Sequence, residues 1–184
     1  MEKLSRTPEA ELTIRQAHAG EFEAVREFYT VLIDRIRNTR YYPRWQIGIH
    51  PSDLMLKSAV ARGEMYLALR GKQIIGAMIV NHIAGDGYNS AAWPTGASRN
   101  EALVIHVLGV MPEEGRKGVG TAMVEAAIRL GRAQNMKAIR LDVLKGNLPA
   151  VKLYLRAGFV YVETIKLFYE VTGLSEFELY EYAL

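Results

Sequence analysis

Leu103-Val104-Ile105-His106-Val107-Leu108-Gly109-Val110, followed directly by Met111-Pro112-Glu113-Glu114-Gly115-Arg116-Lys117-Gly118-Val119-Gly120-Thr121-Ala122-Met123, is the stretch that decides the fold. An apolar run of strand length meets a glycine-rich basic turn. Helical spacing then begins at once, with Val119, Met123, Ala126, Ala127 and Leu130 on one face up to about Ala133. This order has a physical use: the turn aims successive backbone N–H groups at one point, and the helix N-terminus adds partial positive charge. Arg116 and Lys117 add full charges, so an anion, above all a phosphate ester, is a fitting guest. Two better-known phosphate loops do not match. Gly-x-x-x-x-Gly-Lys-Ser/Thr wants Lys directly after its last Gly, whereas Val119 follows Gly118 and Thr121 follows Gly120. Gly-x-Gly-x-x-Gly fails because Met123 stands at the third Gly. A bare Gly-x-Gly turn also serves ordinary strand-to-helix connections.

Working outward, Glu11 to Ala17 alternates polar and apolar residues as a strand does, and Gly20 ends it. Phe22, Val25, Tyr29, Leu32 and Ile36 mark an amphipathic helix from about Glu21 to Asn38. Tyr41-Tyr42-Pro43-Arg44-Trp45 is an aromatic cluster in a segment that Pro43 and Gly48 keep irregular. It either lines a pocket or plugs the flank of the domain. Ser52 caps a second helix that runs to Arg62. Glu64–Leu69 and Gln73–Val80 read as a hairpin turning at Arg70-Gly71-Lys72, and a polar loop follows from Gly85 to Asn100. Beyond the central stretch come a strand at Ala138–Leu144 and a short helix opened by Pro149 and stopped by Gly158. Final strands follow at Phe159–Ile165 and Phe177–Tyr182. The order β-α-α-β-β-β-α-β-α-β-β predicts an α/β fold: a mixed sheet with helices on both faces.

Residues 1–10 read as a loose charged tail and residues 11–184 as one domain, with 49% apolar residues to fill its core. The net charge of +3 is spread along the chain, without the dense basic face of a nucleic-acid binder. No apolar run of about eighteen residues or more suggests a membrane span. With neither a span nor a targeting segment, the expected location is cytoplasmic. The absence of cysteine removes thiol catalysis and thiolate metal sites, and His18, His50, His82 and His106 are scattered, so no metal is expected.

The central stretch and a second motif together resemble the GCN5-related N-acetyltransferase (GNAT) family. The second is Asn147-Leu148-Pro149-Ala150-Val151-Lys152-Leu153-Tyr154-Leu155-Arg156-Ala157-Gly158-Phe159, in register with the family's Asn-x-x-Ala-x-x-x-Tyr-x-x-x-Gly-Phe. One position departs: the turn usually carries Gln or Arg where Gly115 stands, and Arg116 follows one residue later. The resemblance implies the acyl-CoA N-acyltransferase fold, with a central mixed, mostly antiparallel sheet. It also implies acetyl-CoA as co-substrate, its pantetheine arm lying beside the fourth strand where that strand splays from the fifth. Backbone groups of Leu108 and Val110 would meet the thioester and pantetheine amides. Gly115, Arg116, Lys117, Gly118, Val119, Gly120 and Thr121 would cradle the pyrophosphate, and Asn147 would hold pantetheine or the local loop. Dimers through the C-terminal strands are common in such proteins, which allows a homodimer here.

Acetyl transfer to a primary amine of a small molecule or peptide is direct attack between two held partners. It leaves two protons to manage, one on the amine and one for the departing thiolate. Tyr154, which the family places near the sulfur, is the candidate acid, weighed against a core tyrosine on an amphipathic helix. His106 interrupts an apolar strand where the family often carries Glu or His. It is the candidate base, weighed against a hydrogen-bonded structural histidine. Glu113 reads as surface and Glu163 as a more distant candidate. Tyr41, Tyr42 and Trp45 would shape the acceptor pocket, a wall suited to an apolar or cationic guest. The rival reading is a non-catalytic acyl-CoA sensor on the same scaffold. A nucleotide-binding regulator would need both motifs to be coincidences.

Overall fold

Period-two alternation along one central strand builds both sides of the molecule. The computed structural model describes residues 10–184; the expected tail lies outside the described residues except for Ala10. The elements run β1 (Leu12–Gln16), α1 (Phe22–Ile36), α2 (Asp53–Ala61), β2 (Met65–Arg70), β3 (Gln73–Asn81), β4 (Ala102–Val110), α3 (Val119–Ala133), β5 (Ala138–Leu144), α4 (Leu148–Arg156), β6 (Val160–Tyr169) and β7 (Gly173–Ala183). In β3, Ala77 and Ile79 face a core shared with α1 and α2, while Met78 and Val80 face the opposite core under α3. A buried Val25, Tyr29 and Leu32 stripe seats α1; Val119, Met123, Ala127 and their neighbours seat α3. Ser52 caps α2 by accepting from Met55 N–H at 3.1 Å, a contact worth about 1 kcal/mol in such positions.

The sheet has seven strands in the order β1-β2-β3-β4-β5-β7-β6. All neighbours are antiparallel except β4 and β5, which the α3 crossover makes parallel. The helix at Val119–Ala133 and the strand at Ala138–Leu144 have the expected bounds. The last two strands differ from expectation. Phe159 tucks under α4, its N–H on the Tyr154 carbonyl, and β6 starts one residue later. Pairs Lys166↔Glu176, Leu167↔Ser175, Phe168↔Leu174 and Tyr169↔Gly173 then carry the hairpin ladder to a tight turn, well past Ile165.

The polar loop before β4 is fastened to the sheet. Arg140 and Glu181, both buried, pair at 3.0 Å between β5 and β7. Glu181 also accepts from Thr95 N–H and Oγ1, and Arg140 donates to the Ala97 carbonyl at 2.7 Å. The guanidinium lies over the Trp93 ring at 4.3 Å, and Glu163 accepts from Ala92 N–H.

Candidate active site

β4 and β5 stay together only for Ala102↔Ala138, Leu103↔Ile139 and Val104↔Arg140, and then part. The cause is local. Between Ile79↔His106 and Ala77↔Gly109, β4 uses one residue more than β3, which is a β-bulge. The extra residue sets Val107 at φ +45°, a left-handed conformation that costs a β-branched residue about 1–3 kcal/mol. The surroundings hold it there: the buried Tyr29 hydroxyl donates to the Val107 carbonyl at 2.8 Å. Beyond the bulge Met111 N–H bonds Ile75 on β3, so Gly109 and Met111 face β3. By alternation, the backbone groups of Leu108 and Val110 face the open edge. Such an edge offers N–H and C=O groups to an extended, amide-bearing guest.

A cleft of about 550 Å³ occupies the opening, lined among others by Trp45, His106, Leu108, Asp142, Asn147 and Tyr154. Tyr154 is buried against Phe159 in an edge-to-face contact. Its hydroxyl has no hydrogen-bond partner among the described residues. None of their sealed side-chain nitrogen or oxygen atoms is left unpaired, so this hydroxyl opens to the cleft. Burial, reinforced by the nearby Asp142 charge, pushes its pKa well above the phenol value, so it stays protonated. Asn147 caps α4, its Oδ1 accepting from Ala150 N–H at 3.4 Å, while also lining the cleft.

His106 faces the cleft through a relay. Asn81 Oδ1 already accepts from Ile83 N–H, and its Nδ2 donates to Glu64 at 3.0 Å. That leaves only an acceptor for His106 Nε2 at 3.1 Å, so Nε2 carries the ring proton and Nδ1 is the basic nitrogen. Burial pulls the imidazole down to about 4, against a smaller upward pull from the Ile83 backbone, so the ring is neutral at pH 7.

The turn between β4 and α3 sits at the far end of the open edge. Gly118, at φ +81°, is the N-cap of α3 and no side chain caps this end. The first N–H groups of a helix have no partner within it, which leaves those from Val119 to Thr121 as donors. Arg116 also has a positive φ, +66°. Lys117 leans on Glu114 at 3.4 Å, and Gly120 packs on Leu153 of α4. Gly115 has a steric reason to be glycine: a Cβ there would meet the Pro112 carbonyl oxygen at 2.9 Å.

Of the aromatic cluster, Trp45 lines the cleft. Tyr42 donates to the Trp45 carbonyl, and Tyr41 lies under Arg40 at 5.6 Å; neither lines the cleft. Glu113 pairs with Arg35, and Glu163 is engaged with the loop. Two features escaped sequence reasoning. One is Tyr29, whose helical spacing shows a core face but not a carbonyl target. The other is Asp142, held by Tyr88 and Tyr169. A signal for Asp142 was present: β5 is a central strand covered on both faces, where an acid needs partners.

The model of the Acetyltransferase (GNAT) family matches residues 30–159. An uncharacterised N-acetyltransferase of Methanocaldococcus jannaschii is 30% identical over 74 residues, 40% of this chain and 33% of that protein. The mycothiol acetyltransferase of Propionibacterium freudenreichii is 38% identical over 82 residues, 45% of this chain and 25% of that protein. The chain thus spans about a third or less of the length of these curated relatives. A ribosomal-protein-alanine N-acetyltransferase structure from Brucella melitensis superposes with a TM-score of 0.67 at 16% identity, over 94% of this chain and 99% of that one. A Salmonella typhimurium protein solved with its cofactor acetyl-CoA gives 0.66 at 15%, over 94% of each chain. At these identities the likeness is one of fold.

Proposed function

The chain belongs to the acetyltransferase (GNAT) family, and from that premise we propose that it moves an acetyl group from acetyl-CoA to a primary amine of a small molecule or peptide. Residues 11–184 act as one catalytic domain in this reading. The observation that carries it is the opening between β4 and β5, where an unpaired strand edge and the Tyr154 hydroxyl meet in one cleft, with the uncapped N-terminus of α3 following β4 along the chain.

The residues present suit the co-substrate. Amide-bearing pantetheine would lie along the open edge at Leu108 and Val110, and the pyrophosphate would meet the N–H groups after Gly118. Backbone donors carry most of that binding, which is why a glycine at position 115 is compatible with it. Acetyl-CoA supplies a thioester; its C–S bond breaks as the C–N bond to the amine forms. Tyr154, always protonated, donates to the departing sulfur, where negative charge develops. His106, neutral with Nδ1 free to accept, takes the proton lost by the amine, directly or through water. Trp45 forms part of the acceptor wall. A homodimer through β6 is supported by that edge strand, which leaves Val160, Tyr161 and Phe168 exposed.

The test is thiol release from acetyl-CoA over a panel of amines, with wild type and Tyr154→Phe side by side. Turnover on one amine class, cut by the substitution, is the expected result. Acetyl-CoA binding by calorimetry with no turnover on any amine would favour a sensor instead. No binding at all would sink the reading of the cleft.

A further inference from the structure

Asp142 is a half-buried carboxylate whose charge no basic side chain among the described residues matches. It stands mid-strand on β5 and lines the cleft. Tyr88 donates to its Oδ1 at 2.6 Å, and the Tyr169 hydroxyl lies 3.3 Å from both oxygens. No Lys, Arg or His among the described residues forms an ion pair with it. Burial raises its pKa, while the two phenols favour the charged form. A charge taken out of water without a counter-ion is costly. Two residues earlier on the same strand and the same face, Arg140 shows the ordinary solution, with Glu181 at 3.0 Å.

The rest of the cleft supplies no buried cation. Glu64 is a second acid, and Arg62, at the exposed rim, is the only Lys or Arg among the described lining residues. His50 and His106 both line it, and burial holds both below the ordinary imidazole pKa, so they bring no positive charge at pH 7. Glu64 is occupied with Asn81. Beside Asp142 the wall is aromatic, Tyr169 packing edge-on against Phe177, and Trp45 lines the same cleft.

We infer that the missing counter-charge arrives with the acceptor: Asp142 binds the ammonium form of a primary alkylamine carrying an apolar or aromatic body, and the cleft discriminates against amines that are uncharged at neutral pH. This rests on reading the cleft as the acceptor's chamber. The carboxylate recruits and orients the amine, and the two tyrosines hold the carboxylate.

Two isomeric amines separate the possibilities: 2-phenylethylamine, a cation at pH 7, and 4-ethylaniline, uncharged there. Each is titrated against the whole chain, without acetyl-CoA, and followed by thermal shift. A ligand that binds the native state raises its melting temperature. The alkylamine stabilises wild type and the arylamine does not; in Asp142→Asn, whose single amide oxygen can still accept from the phenols, the difference disappears. With acetyl-CoA present, the substitution raises KM for the alkylamine about tenfold or more, roughly 1.4 kcal/mol, and leaves that for the arylamine within about twofold. Acetyl-CoA affinity is unchanged.

Equal stabilisation by the two isomers, a preference for the arylamine, or stabilisation by neither would overturn the inference. The wild-type comparison needs no variant, so it decides even if the D142N protein does not fold. Failure of the acetyltransferase reading looks different: acetyl-CoA neither binds nor turns over, while the amine selectivity in the thermal shift is read independently.

Discussion

The two edges of β4 behave differently. Along one, the strand is zipped to β3 from Val104 to Val110; along the other it is bound to β5 for three residues and then released. The residues on both edges are the same, and a single extra one, Val107, makes the difference. The zipped edge belongs to the continuous sheet, with apolar cores on both faces. The released edge exposes backbone donors and acceptors, and every group assigned a chemical role lies beside it. Stability and function therefore divide across one strand rather than between domains.

The largest effect should come from the released side. Tyr154→Phe removes the donor aimed into the opening and should lower kcat about a hundredfold or more, with acetyl-CoA affinity unchanged by calorimetry. If affinity falls while kcat holds, Tyr154 is a packing residue and the division fails. The next test is acid. An imidazole whose folded pKa lies below its unfolded value takes its proton more readily when unfolded, so its contribution is complete above about pH 6.5 and drains as pH falls toward 4. Spread over that window the loss is about 3 kcal/mol. Denaturant melts at pH 7, 5.5 and 4 should show it in wild type and much less in His106→Gln.

The zipped side is tested by Tyr29→Phe, which keeps the ring and strands the Val107 carbonyl. The expected cost is about 1–3 kcal/mol, or several degrees in Tm, with acetyl-CoA binding also weakened. A loss of stability alone would mean that the bulge keeps its shape without the hydroxyl. The smallest effect concerns the turn. Gly115→Arg restores the family's usual residue type but drives its Cβ into the Pro112 carbonyl, so acetyl-CoA should bind about threefold more weakly, under ~1 kcal/mol. Tighter binding would show that the turn yields to the side chain.

Much of this was legible in the sequence because it is periodic. The face of α3 and the Gly118 boundary gave the helix its bounds. The second motif fixed Tyr154 and Asn147 to one short helix at the cleft. What stayed hidden depends on long-range pairing. That Tyr29 reaches Val107, 78 residues on, is a property of the sheet register and not of the helix that carries it. Asp142 in a central strand signals a need for partners, but which partners, Tyr88 from a loop and Tyr169 from β6, is not visible from β5 itself. The aromatic cluster divided for a similar reason: three bulky residues promise a wall, but the chain's path decides that only Trp45 joins it.

The fastening of residues 85–100 by Arg140 and Glu181 has a consequence for binding thermodynamics. That loop delivers Tyr88 to Asp142, and a loop of its length left loose would have to surrender its freedom each time an acceptor arrived. Anchored by a buried ion pair, a stacked tryptophan and the amides of Thr95 and Ala92, it surrenders that freedom once, during folding. Acceptor association should then show a modest entropic penalty and a fast on-rate, the signature of a chamber that is already built when its guest enters.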